Sequence, residues 1–97
     1  MTNLVHKLSD AEIQTKLALL KGWAFECGKL HKEYVFKNFM EAFGFMTSAA
    51  LAAEGMNHHP EWFNVYKKVV VDLITHDAGG VSERDFELAT KMDALAK

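Results

Sequence analysis

The segment from 39 to 53 restricts the possible folds of this chain more than any other part of the sequence. Apolar residues recur along it at helical spacing, and more of them widen the apolar face beyond one stripe. The stripe comprises Phe39, Phe43, Met46, Ala50 and Ala53, and the residues that widen it are Met40, Phe45, Ala49 and Leu51. A protein of 97 residues builds one modest core, so a helix this apolar needs cover on a second face.

This helix, predicted over 38–54, is covered either by the protein's own sheet or by a second copy of the chain. We favour a subunit interface, because the small residues from Ser48 to Ala53 allow two helices to approach closely. A well-packed core helix is the alternative. Asn38 is the predicted N-cap, and Gly55 is predicted to end the helix in a left-handed conformation.

Two further helices are predicted from capping patterns. Residues 9–12 have the spacing of a capping box and open a helix over about 10–21, which Gly22 ends. Residues 82–85 form a second such pattern and open the last helix of the chain. Both starts are followed by apolar residues at helical spacing, so each helix has one face for a core.

Four strands are predicted between the helices. Segments 23–27 and 30–37 flank a hairpin turn at Gly28-Lys29, and segments 62–66 and 68–76 follow the long helix. The order is therefore αββαββα, in one domain spanning 1–97. Antiparallel strands interspersed with helices, without a parallel crossover pattern, predict an α+β fold with one antiparallel sheet and the helices on a single face.

Charge, cysteine content and the length of the apolar runs argue against several classes of protein. Lys and Arg number 11 against 13 Asp and Glu, and no basic stripe is present, which argues against direct nucleic-acid binding. The one cysteine, Cys27, cannot form an internal disulfide and indicates a reducing compartment. The longest strictly apolar run, 49–53, is too short to span a membrane, and no signal-peptide pattern is present. The sequence predicts a soluble, cytoplasmic protein.

His58, His59 and His76 are the strongest candidates for chemistry. Pro60 disfavours a helical conformation at His59, so the pair lies on an extended segment whose successive side chains diverge. Histidines that meet at one cleft form an acid/base site, because imidazole both donates and accepts protons near neutral pH. The alternative is that they are polar residues at strand and loop ends. A metal site is disfavoured, since the pair lacks the HExxH spacing and no CxxC accompanies it.

Other residues near the histidines allow two interpretations each. Glu54 sits four residues before His58 at a helix end, and it is either solvated or paired with a histidine or a ligand. Trp62 is either a stacking wall for a flat heterocycle or a core residue. Asp85 is most simply the acidic member of the Ser82 capping box, with a ligand-facing role as the alternative.

The sequence EGMNHHPEWFNVY at 54–66 closely resembles the signature of the pterin-4a-carbinolamine dehydratase family. The sequence THDAGG at 75–80 falls where that family has its second signature, and the resemblance extends over essentially the whole chain. It implies a four-stranded antiparallel sheet with three helices on one face. Family members are dimers or tetramers, so the resemblance also implies a homodimer or homotetramer that forms through a strand edge and the 38–54 helix.

The resemblance further implies a reaction and its residues. The family removes water from 4a-hydroxytetrahydrobiopterin to give quinonoid dihydrobiopterin in tetrahydrobiopterin recycling, by acid/base chemistry that calls for no metal and no cofactor. Matched residue by residue, His58, His59 and His76 are implied as the catalytic residues, without an assignment of acid and base. The residues implied to line or support the pterin site are Glu54, Asn57, Trp62, Thr75 and Asp85.

Two features of the family leave questions open for this chain. Animal members that otherwise look most similar usually carry Asp before the histidine pair, where this chain has Asn57. The neutral amide removes a charge that would stabilise a protonated imidazole, which affects the expected pH optimum. Some animal relatives also bind a homeodomain transcription factor, so the resemblance leaves such a partner, and a nuclear location, open.

Overall fold

Three helices and four strands follow one another in the predicted order αββαββα, which confirms the α+β fold class. The computed structural model describes residues 5–97. The helices are α1 (Asp10–Leu17), α2 (Phe39–Met56) and α3 (Glu83–Leu95), and the strands are β1 (Ala24–Glu26), β2 (Lys29–Val35), β3 (Glu61–Val65) and β4 (Lys68–Leu73). A short 3-10 helix spans His76–Ala78. Among residues 5–97, no helix is both long and apolar enough to cross a bilayer.

The strands form one antiparallel sheet in the order β1-β2-β4-β3. The β1–β2 turn lies on Cys27 and Gly28, whose φ angles of 54° and 78° suit a two-residue hairpin turn. The prediction placed this turn one residue later, but Lys29 already pairs with Glu26. The core side of the sheet, against which the helices pack, carries Leu30, Tyr34, Val69, Val71 and Leu73.

β4 is shorter than predicted. It ends at Leu73, whereas the sequence pattern extended it to His76. Its neighbour β3 begins at Glu61, directly after Pro60, which has no N–H to continue the ladder. Thr75 instead forms an isolated bridge with Gly80. His76 is thereby lifted out of the sheet and placed on the 3-10 helix.

Two predicted helix ends are wrong. α1 ends at Leu17 instead of Lys21, because the N–H groups of Leu19 and Leu20 donate three residues back and tighten the chain into turns. Gly55 lies inside α2, and the left-handed residue that ends this helix is Asn57, with φ 54°. Asn tolerates this conformation because its short polar side chain bonds locally.

α2 is covered on one face only within the single chain. Its small residues Ala42, Ala49 and Ala53 are buried together with Phe45, which packs on Tyr34 at a ring-centroid distance of 4.7 Å. The side chains on the other faces are exposed, including Phe39, Met40, Phe43 and Leu51. The sheet and α3 together therefore cover one of the two apolar faces that the sequence predicts.

Asp93 attaches the end of α3 to the sheet. Its Oδ1 accepts hydrogen bonds from Trp23 Nε1 at 3.1 Å, Lys32 Nζ at 2.8 Å and Tyr34 Oη at 2.5 Å. Trp23 and Tyr34 are buried. Burial, followed by the neighbouring carboxylate, raises the pKa of the Tyr34 phenol far above its usual range, so this hydroxyl is always a donor.

Replacing Asp93 by Ala removes the acceptor from two buried donors and from the Lys32 ammonium. We expect Asp93→Ala to lower the free energy of unfolding by about 2 kcal/mol, since bonds to a charged acceptor are stronger than neutral ones. Urea unfolding followed by circular dichroism measures the change, with the exposed Glu87→Ala on the same helix as control. Equal stabilities of the two variants would contradict a structural role for Asp93.

Candidate active site

The end of α2 sets the path of the chain into the histidine pair. The N–H of Asn57 donates to the carbonyl oxygen of Glu54 and the N–H of His58 to that of Ala53, both at 3.0 Å. This pairing is the Schellman motif, which needs a left-handed residue at Asn57. Pro60 then keeps the following segment extended. His58 consequently turns into the protein, where it is 7% exposed, whereas 58% of the His59 side chain is exposed.

His58 is held by a buried carboxylate. Its Nε2 lies 2.6 Å from Oδ1 of Asp85, which is fully buried at the start of α3. The other oxygen, Oδ2, accepts from the backbone N–H of Ser82 at 2.9 Å and from the Thr75 hydroxyl at 2.8 Å. When His58 is neutral and donates to Asp85 from Nε2, its other ring nitrogen, Nδ1, is unprotonated and can accept a proton. No buried side-chain polar atom is unpaired in the part of the chain that the structure describes.

The other two histidines are exposed and each contacts a glutamate. His59 Nε2 lies 2.8 Å from Glu54 Oε1, and His76 Nε2 lies 3.3 Å from Glu61 Oε2. His76 is the most exposed of the three, with 76% of its side chain in contact with solvent. Both imidazoles can therefore exchange protons with water directly.

One cavity brings the three histidines together. Its volume is about 210 Å³, and it lies between the end of α2, the 3-10 helix and the start of α3. Its lining consists of Asn57, His58, His59, Ile74, Thr75, His76, Asp77 and Arg84. Residues from two distant parts of the sequence thus meet at one solvent-accessible site, as acid/base chemistry at a single atom requires.

The remaining predicted site residues lie outside this lining. Glu54 lies behind His59 and Asp85 lies behind His58, so each contacts an imidazole. Trp62 points to the helical side of the sheet, where it packs on the core. It lines a separate apolar cavity of about 320 Å³ with residues of α2, among them Phe43 and Leu51. Within one chain the structure does not bring Trp62 to the histidine cavity.

Arg84 and Glu61 are site residues that the sequence reasoning missed. Arg84, the only arginine of the chain, lines the histidine cavity from the first turn of α3. Its position inside the 82–85 capping pattern, next to Asp85, was the available signal. Glu61 had a weaker one, since it directly follows Pro60 in the histidine signature. Within residues 5–97, no three His, Cys, Asp or Glu side chains are grouped so that they could hold a metal ion.

Comparison with known proteins identifies the family. A family model described as pterin 4 alpha carbinolamine dehydratase matches residues 6–95. The chain belongs to this dehydratase family. A Solibacter usitatus protein named as a pterin-4-alpha-carbinolamine dehydratase is 61% identical over 93% of this chain and 95% of its own length. A Sinorhizobium medicae protein of the same name is 55% identical over 94% of this chain and 89% of its own.

A solved structure agrees with the family assignment. The chain superposes on the crystal structure of a transcriptional coactivator/pterin dehydratase from Brucella melitensis with a TM-score of 0.91. The two are 44% identical in sequence, and the match covers 95% of this chain and 100% of the other. As a member of the pterin dehydratase family the chain is a lyase, and its class of reaction is the removal of water.

The buried Asp85 network gives a prediction for stability. Asp85→Ala removes the acceptor of the buried His58 imidazole and of the Ser82 N–H, and it leaves the Thr75 hydroxyl with the Ser82 hydroxyl, 2.6 Å away, as its partner. We expect it to lower the free energy of unfolding by roughly 3 kcal/mol, because each buried donor left without its acceptor costs about 1 to 3 kcal/mol. Thermal and urea unfolding measure the loss. Asp77→Ala, at an exposed position of the same cavity, is the control and should remain within about 0.5 kcal/mol of the parent.

Proposed function

We propose that the chain dehydrates 4a-hydroxytetrahydrobiopterin to quinonoid dihydrobiopterin and water, in tetrahydrobiopterin recycling. We further propose that His58, His59 and His76 carry the proton transfers. The observation that carries this proposal is the convergence of all three imidazoles on one cavity, with His58 fixed by the buried Asp85. The family assignment supplies the class of reaction.

The proposed reaction requires two proton transfers. The hydroxyl at C4a leaves as water after it has gained a proton, and the proton on N5 is lost as the C4a–N5 double bond forms. One protonated imidazole and one neutral imidazole supply both transfers, and each ends in the other's starting state. The net reaction releases only water, and the two histidines regain their starting protonation states when one proton passes from the base back to the acid, directly or through solvent. This chemistry needs neither a metal ion nor a cofactor, since imidazoles alone supply and remove the protons.

The neighbouring residues have proposed supporting roles. Glu54 holds His59 and Asp85 holds His58, each through Nε2, and Thr75 completes the acceptor set of Asp85. Asn57 lines the cavity at the turn between α2 and the histidine pair. Trp62 does not line the histidine cavity within one chain, and its role as a wall for the pterin ring stays a prediction.

Replacing the histidines tests the proposal. We expect His59→Ala and His76→Ala to lower the rate of dehydration by about 10² to 10⁴ if each is a positioned acid or base. His58 is buried, so His58→Ala can also disturb the fold. We therefore measure His58→Gln beside it, because Gln retains an N–H donor for Asp85. In a His58/His76 double variant, replacing the second histidine should lower the rate by a smaller factor than the same replacement does in the parent protein, because both residues act on one group. The measurement uses chemically generated 4a-hydroxytetrahydropterin.

The matched control is His6→Ala, because His6 is an exposed histidine outside the cavity. Circular dichroism establishes that each variant is folded. Folded variants that all retain the parent rate within threefold would show that the cavity is not the catalytic site. A binding role would then become the leading interpretation.

We also propose that the chain forms a homodimer or homotetramer through α2 and an edge of the sheet. The apolar side chains of α2 that the sheet leaves exposed support this, with Met40 80% and Leu51 71% exposed. β1 and β3 are the two edge strands and are open to pairing in the single chain. A transcription-factor partner on the same helix is the second candidate, which the coactivator title of the Brucella melitensis relative supports.

Light scattering distinguishes these two uses of α2. We expect a dimer or tetramer at micromolar concentration, and a smaller species when Met40 and Leu51 are both replaced by Glu, because charges oppose burial of the interface. Leu19→Glu, at an exposed leucine outside α2, should leave the assembly unchanged. A parent protein that is monomeric would contradict self-association and favour the partner.

A further inference from the structure

Glu61 lies behind His76 on the side of the imidazole that carries Nε2. It is the first residue of β3, and its Oε2 is 3.3 Å from His76 Nε2. Its other oxygen, Oε1, is 2.5 Å from the ammonium of Lys29, at the start of β2. Lys29 reaches past β4, which separates β2 from β3 in the sheet. The two ends of the carboxylate are thus bound to different elements.

The contact repeats a pattern shared by all three histidines of the cavity. Each presents its Nε2 to a carboxylate: His58 to Asp85 at 2.6 Å, His59 to Glu54 at 2.8 Å and His76 to Glu61 at 3.3 Å. His31, which lies outside the cavity, contacts Asp72 through Nδ1 instead. A carboxylate at Nε2 favours the tautomer that carries its proton there, and Nδ1 is then the unprotonated nitrogen.

We propose that Glu61 is a positioning residue for His76: it holds the proton of the neutral imidazole on Nε2, so that Nδ1 exchanges protons with the substrate. This inference rests on the proposed function of the cavity. His76 has no other side-chain hydrogen bond among the described residues. Since 76% of its side chain is exposed, its ring can adopt several orientations without this contact.

Lys29 holds the Glu61 carboxylate in place. Its bond to Oε1 leaves Oε2 for His76, and this bond, as the largest cause, lowers the pKa of the Glu61 carboxyl, which stays ionised. Asp72 is the register partner of Glu61 in the sheet, and His31 contacts Asp72 Oδ1 at 2.8 Å. His31 is thus bound to Asp72, whereas Lys29 is the cation bound to Glu61.

The dehydration assay and nitrogen-15 spectra of labelled histidine test the proposal on the full chain. We expect Glu61→Ala to lower kcat about fivefold, the effect of one exposed ionic contact, with KM unchanged within twofold. The two ring nitrogens of His76 should lose the well-separated shifts of the Nε2–H tautomer and move towards averaged values. Glu61→Gln retains an oxygen acceptor and should restore part of the rate and of the separation.

Lys29 and a distant ion pair provide the controls. Lys29→Gln should lower kcat less than Glu61→Ala and should have no further effect when combined with it, because it acts through that carboxylate. Glu87→Gln, which breaks an exposed 3.4 Å pair with Lys91, should change neither the rate nor the spectrum. Thermal unfolding establishes that every variant is folded.

His76→Ala, measured in the same assay, separates failure of this inference from failure of the proposed function. A slow His76→Ala together with a Glu61→Ala that keeps the parent rate and spectrum would overturn the positioning role alone. A His76→Ala with the parent rate would overturn this inference together with the proposed catalytic role of His76, and the His58 and His59 variants would then decide whether the cavity is the catalytic site. A slow His76→Ala, a Glu61→Ala about fivefold slower than the parent protein, and altered His76 shifts would support the inference.

Discussion

The arrangement of the cavity depends on one buried carboxylate. Asp85 accepts hydrogen bonds from the hydroxyl of Thr75 after β4 and from the N–H of Ser82 before α3, and it contacts the imidazole of His58 after α2. None of these groups can be left unpaired in the protein interior without a cost in free energy. Their positions are therefore interdependent, and the segments that carry the histidines are held relative to one another by side-chain bonds as well as by the sheet.

Local patterns in the sequence predicted the elements well because local contacts form them. Both predicted capping boxes, at Ser9 and at Ser82, are present, and the strand bounds differ by three residues at most. The end of α2 was misplaced because Gly and Asn both accept a left-handed conformation. The choice between Gly55 and Asn57 depends on which residue allows the bonds to Ala53 and Glu54.

The site was only partly predictable because it is made of contacts between distant residues. The signature residues at 54–62 and 75–85 marked the histidines, and Asp85 was recognised as a capping residue. Its contact with His58, 27 residues away, has no local signal. The same holds for the bonds of Glu61 to Lys29 and of Asp93 to Trp23, which span 32 and 70 residues. Trp62 shows the converse, because this residue of the signature lines a separate apolar cavity with residues of α2.

The unequal burial of the three histidines bears on how the proposed reaction would turn over. A proton taken from N5 must reach the solvent or the leaving hydroxyl before the next cycle. His58 is enclosed, so it exchanges protons only through the cavity, whereas His59 and His76 are in direct contact with water. An enclosed imidazole keeps a fixed orientation, and an exposed one is recharged by solvent but is held only by its carboxylate partner. The glutamates at 54 and 61 therefore matter most where burial supplies the least order, and Asp85 matters most for folding.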